Sequence, residues 1–138
     1  MRRKIPSKKN DIKCIVILSS CEKDDWDKAK KKEDKQLSYI NTYAKKHHLI
    51  PMEIVRRGCF GPMEMNRILH NVIKKMDSGK AEAILVANAL SISSSISDAY
   101  LKVGKVAQAG YRFISVDEGE LYFKLFNPEV GKVVENGN

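Results

Sequence analysis

Hydrophobic positions along this chain follow two alternating rhythms. Cys14 to Leu18 is an unbroken apolar run rich in β-branched side chains and closed by Ser19-Ser20, which predicts a strand buried on both faces. From Asp27 to His47 the rhythm lengthens: Leu37, Ile40 and Ala44 recur at spacings of three and four with lysines between them, which predicts an amphipathic helix. Pro51 to Val55 reads as a second strand, and Arg56-Arg57-Gly58-Cys59-Phe60-Gly61-Pro62 as a loop punctuated by glycine and proline. Met65, Ile68, Leu69, Val72, Ile73 and Met76 then line one helical face, stopped by Ser78-Gly79. Ala83 to Ala87 repeats the buried-strand pattern. A serine-rich stretch, Ser91 to Ser97, leads into Ile96, Tyr100, Val103 and Ala107 at helical spacing, ending at Gly110. Tyr111 to Val116 is a fourth strand and Leu121 to Phe126 a fifth.

Strands alternating with helices of this length specify a three-layer α/β fold, a mostly parallel sheet of four to five strands with helices on both faces. The expected organisation is a basic flexible arm over residues 1–12, one domain over 13–126 and a tail over 127–138. In such a sheet, ligands sit beyond the carboxyl ends of the strands. Here those ends are Ser19-Ser20, Arg56-Arg57, Asn88 to Ser91 and Asp117-Glu118.

Composition narrows the class. With 138 residues, 43% of them hydrophobic and 30% charged, the chain suits one ordinary globular core. No apolar run approaches the roughly 20 residues that span a bilayer, so no membrane partner is expected and the cytoplasm is the expected compartment. Three cysteines, Cys14, Cys21 and Cys59, form no CxxC pair, and His47-His48 point to different sides of a helix, so neither a metal site nor a cofactor is expected. The net charge of +8 is lopsided: residues 1–80 carry +10 and residues 81–138 carry −2. A basic half of this kind favours polyanions or serves as a solubilising face. The serines from Ser91 to Ser97 suit either a phosphate cradle at a helix start or plain helix caps.

The order of these motifs resembles the catalytic domain of serine site-specific recombinases, the resolvases and invertases, from about Lys13 to Glu118. Ile17-Leu18-Ser19 lies over that family's Arg-x-Ser element, and Arg56 to Gly61 over its Asp-x-Gly-x-Ser-Gly loop. Arg67 lies at its helix-opening arginine, and Asn88-Ala89-Leu90-Ser91-Ile92 over Asp-Arg-Leu-x-Arg. The resemblance implies DNA recombination through a phosphoserine link, with Ser19 as candidate nucleophile, Ser20 next in line and Arg67 in support. Arg56 and Arg57, with Arg2, Arg3 and Lys4 of the arm, are the candidate DNA contacts, made mainly to phosphates. A homodimer or a recombinase partner is the expected protein contact.

Departures from the pattern matter as much. Three positions where the family places arginine read Ile17, Ala89 and Ile92, its aspartate reads Asn88, and Arg56 replaces the loop's Asp. Arginines stabilise the charge that develops on a phosphate under attack, and losing one such donor typically costs about a hundredfold to a thousandfold in rate. The expectation is therefore a catalytically impaired domain that keeps a DNA-binding or recombinase-partner role. The alternatives are an active subunit with displaced catalytic groups and a flavodoxin-like module binding a small ligand or a protein.

Overall fold

In a computed structural model, residues 11–121 are described in full, and 126–127 and 132–133 through their backbone pairing. Strand β1 (Ile12–Leu18) precedes helix α1 (Trp26–Lys46), β2 (Leu49–Arg56), α2 (Pro62–Asp77) and β3 (Ala83–Val86). A 3-10 turn (Ala89–Ile92) follows, then α3 (Ile96–Gln108), β4 (Arg112–Ser115) and β5 (Gly119–Leu121). The sheet runs β2-β1-β3-β4-β5, parallel except for β5.

The pleat of β1 explains the layers. Cys14, Val16 and Leu18 face Ile40 and Ala44 of α1, while Ile15 and Ile17 face Met65, Ile68, Leu69 and Val72 of α2 and Val103 and Val106 of α3. A strand that buries alternate side chains on both faces must be central, as the continuous apolar run requires. The expected three-layer α/β fold is therefore the one observed.

Element boundaries differ where local chemistry intervenes. β2 runs from Leu49 to Arg56, longer than the expected Pro51–Val55. It is an edge strand, so Pro51, which lacks an N–H, sits where no ladder bond is lost, opposite a register shift between Cys14 and Ile15. The fifth strand begins earlier than Leu121 and runs antiparallel to β4, because residues 116–118 reverse the chain and Gly119 takes a φ of 82° that completes the turn. Residues 122–125 lie outside the described residues. The region expected to be a tail contains a short antiparallel pairing of β6 (Phe126–Asn127) with β7 (Lys132–Val133). The arm over 1–12 is described only from Asp11, so Arg2, Arg3 and Lys4 lie outside the described residues.

Candidate functional site

Polar backbone at the carboxyl ends of β1 and β2 is held by side chains of α1. The Asp25 carboxylate caps α1 by accepting from the Lys28 N–H at 3.1 Å. One helix turn beyond Lys32, Gln36 clamps the end of β1: it accepts the Ser19 N–H at 2.9 Å and donates to the Ser19 carbonyl at 2.6 Å. Glu33, 1% exposed, accepts the Gly58 N–H at 2.8 Å and lies 3.5 Å from the Arg56 guanidinium. These bonds fix the two loops at the sheet edge to one rigid helix.

Between those loops and the start of α3 opens a cleft of about 220 Å³, reached by Cys21 to Lys23, Arg57, Phe60 to Pro62, Ile92 to Ser94, Asp98 and Lys102. Arg57 is one of its two buried cations, with Lys102. The Arg57 N–H extends the β1–β2 ladder by donating to the Leu18 carbonyl at 3.0 Å, which sets the residue beside the end of β1. Its guanidinium donates to the Cys21 sulfur at 3.4 Å, while its buried Nε donates to nothing among the described residues. A buried donor without a partner is uncommon, and beside a cleft it is a place for an acceptor to dock.

Lys102, 6% exposed, pairs with Asp98, and that ammonium is the main reason the Asp98 carboxyl sits below the ordinary aspartate range. The Ser94 N–H adds a bond at 3.0 Å. Lys102 is thus neutralised locally, whereas Arg57 has no carboxylate partner among the described residues. The neighbouring serines are occupied: Ser95 caps α3 through the Asp98 N–H, Ser93 donates to the Ala89 carbonyl, and Ser91 donates to the Asn88 carbonyl.

The residues singled out in the sequence do not converge. Ser19 is 1% exposed and its hydroxyl, buried, makes no hydrogen bond among the described residues. Ser20 is the half-buried hydroxyl of the pair, accepting the Glu22 N–H at 3.2 Å. Arg56 turns to α1, 2.8 Å from Asp34. Arg67 is exposed on α2 and chelates Glu64 through two nitrogens at 3.0 and 2.6 Å. Of the predicted arginines among the described residues, only Arg57 lines the cleft.

The positions that the resemblance sets against arginines lie in the core. Ile17, Ala89 and Ile92 pack in the apolar cluster beneath α2 and α3, and Asn88 caps the 3-10 turn by accepting the Ser91 N–H at 2.8 Å. Several cleft residues were not assigned a role from sequence. Asp98 and Lys102 showed only an ordinary i,i+4 spacing. Cys21, notable in the sequence only as a cysteine outside any CxxC pair, is exposed with a φ of 64°, and no sequence pattern signals that conformation.

No family model and no curated protein matches the sequence. Among solved structures, the N-terminal catalytic domain of TP901-1 integrase superposes with a TM-score of 0.64 at 16% identity, over 78% of this chain and 79% of that one. A resolvase family site-specific recombinase from Streptococcus pneumoniae gives a TM-score of 0.65 at 16% identity, over 79% and 74%. At such identity the likeness concerns backbone architecture, and five strands and three helices in this order carry it. The chain has the fold of a resolvase-type recombinase catalytic domain, the architecture that its own motif order resembles.

Proposed function

We propose that this chain is a recombination-associated domain that binds DNA through phosphates at the carboxyl-edge cleft and is impaired in strand cleavage. One observation carries the reading: the cleft holds Arg57 buried with an unmet donor, while Ile17, Ala89 and Ile92 fill core volume where the resemblance calls for arginines. A single guanidinium can hold a phosphate oxygen, but stabilising a phosphorane-like transition state takes several donors aimed at it together. Ser19 is closed off by its burial, so any residual nucleophile would be Ser20.

The test is to mix the protein with nicked and supercoiled DNA, quench in denaturant and resolve covalent adducts. The expected result is DNA retention that falls steeply with salt and weakens in Arg57→Gln, with no adduct. An adduct abolished by Ser20→Ala, or by Ser19→Ala, would establish instead an active subunit with displaced groups. Salt-insensitive binding of a small ligand without DNA retention would favour the flavodoxin-like reading.

A further inference from the structure

Helix α1 segregates its charges in a way that composition alone does not show. Its buried stripe is Ala29, Glu33, Ile40 and Ala44. At 100° per residue, Lys28, Lys31, Lys35 and Lys46 fall on the opposite side, and all four are exposed. Asp27, exposed in the first turn, shares that side, but the other carboxylates within the helix are drawn elsewhere. Glu33 turns inward to the Gly58 N–H, and Asp34 is shared between Lys30 at 3.0 Å and Arg56 at 2.8 Å. Glu22, in the loop before the helix, pairs with Lys32. Lys28, Lys31, Lys35 and Lys46 have no carboxylate partner among the described residues. The outer face is therefore a net-positive row, these four lysines against the one carboxylate of Asp27, with the exposed hydroxyls of Ser38 and Thr42 between Lys35 and Lys46.

The row has a direction. Lys23 lines the cleft, and Lys28 lies in the first turn of α1, next to that edge; Lys46 lies at the far end. From Lys28 to Lys46 the helix advances about 27 Å, at 1.5 Å per residue. That length matches about eight steps of a duplex strand at 3.4 Å each.

We propose that the outer face of α1 is a track for the phosphate backbone of duplex DNA, leading away from the carboxyl-edge cleft. The proposal rests on the reading that the chain binds DNA and adds where the duplex lies. An anionic membrane is the other polyanion such a row could meet. A helix that lies in a membrane inserts an apolar face, and the apolar face of α1 is already packed on the sheet through Ile40 and Ala44. The row also makes no demand on base sequence, since lysines on phosphates position a duplex without reading it.

Salt dependence tests this directly, because each phosphate neutralised releases counterions and adds about 0.9 to the slope of log affinity against log salt. The variant Lys28→Gln/Lys31→Gln/Lys35→Gln is compared with the charge-matched control Lys74→Gln/Lys80→Gln/Lys105→Gln on α2, the loop after it and α3, using a duplex of mixed sequence. The substituted α1 lysines are exposed, so unchanged circular dichroism and melting show that the fold is kept. The slope is expected to fall by about two to three units in the α1 variant and by less than one in the control. Equal losses in both variants would overturn the track in favour of bulk charge. An unchanged slope in the α1 variant, with Arg57→Gln still weakening binding, would overturn the track and leave the cleft reading standing. Absence of duplex binding by the unaltered chain would overturn both. Retention on phosphatidylserine vesicles that the α1 substitutions abolish, while duplex binding is unaffected, would assign the row to a membrane and overturn the proposal.

Discussion

At the scale of single residues, two side chains make measurable statements. Cys14, wholly buried in β1, has its thiol pushed up from 9.0 to about 12, first by burial and then by the nearby Glu82 carboxylate, against a smaller opposing pull from Arg112. The folded state keeps the proton that the unfolded chain releases above pH 9, so this contribution is intact below pH 9 and is lost as pH rises toward 12. A single such group adds a slope of at most about 1.4 kcal/mol per pH unit. Urea melts from pH 8 to 11 on the wild type and on Cys14→Ala should show a shallower decline for the variant; parallel declines would mean that Cys14 does not titrate on unfolding. Asp98 presents the second case. Asp98→Asn strands the buried Lys102 and should lower stability by about 2 kcal/mol in urea melts, less than a fully enclosed pair would because Asp98 is partly exposed. The same change frees a second cation in the cleft, so affinity for inorganic phosphate or DNA should rise severalfold; an unchanged affinity would show that Lys102 does not face the anion. None of this could be read from sequence. An i,i+4 Asp–Lys pair with its lysine buried and a surface one are spelled identically, and only the fold, which leaves Lys102 6% exposed, tells them apart.

Elements were the most legible scale, because periodicity is itself an element-level signal. The two-faced burial of β1 and the apolar stripe of α2 follow from Ile15, Val16, Ile17, Met65, Leu69 and Val72. What failed to show were the links between elements, since Gln36 and Glu33 lie among lysines in a helix whose polar face looks uniform. Gly58 is where such a link is most exposed to test. Its φ is 64°, and a Cβ built there would stand 2.4 Å from the Trp26 ring, which in turn meets Phe60 edge-on at 5.2 Å. Gly58→Ala therefore combines left-handed strain with a collision against the first residue of α1, and should cost about 1–3 kcal/mol. Trp26, the chain's one tryptophan, reports the event: its fluorescence should shift with the substitution, whereas Gly61→Ala, where a Cβ meets nothing within 4 Å, should leave both stability and emission close to wild type. If Gly61→Ala proved the more damaging change, the α1–loop contact would not be what fixes this edge.

On the scale of the whole molecule, the charges and the apolar surface separate. Exposed lysines crowd α1, while α3 leaves Ile96, Tyr100 and Leu101 exposed at 67, 64 and 70%. Ile96 and Tyr100 flank a groove of about 240 Å³ that Leu90, Val103 and Leu121 also line. The motif order made the fold and the cleft's location visible in the sequence, yet this face was hidden. Tyr100 lies in the same helical stripe as Val103 and Ala107, and periodicity alone reads them as equally buried. We expect this face to seat a second copy of the chain, one of the two protein contacts, homodimer or recombinase partner, that the resemblance implies. A stable dimer buries about 800 Å² per partner, and a patch built on a handful of side chains reaches that only with its surroundings, so the association should be weak and dependent on concentration. Sedimentation velocity over a concentration series should show a monomer–dimer equilibrium that Tyr100→Lys shifts to monomer without lowering the melting temperature, since an exposed tyrosine contributes little to the fold. A wild type that stays monomeric throughout would sink the homodimer. If Tyr100→Lys left the equilibrium intact, the dimer would form on another face, and the apolar groove would be free to meet a different chain.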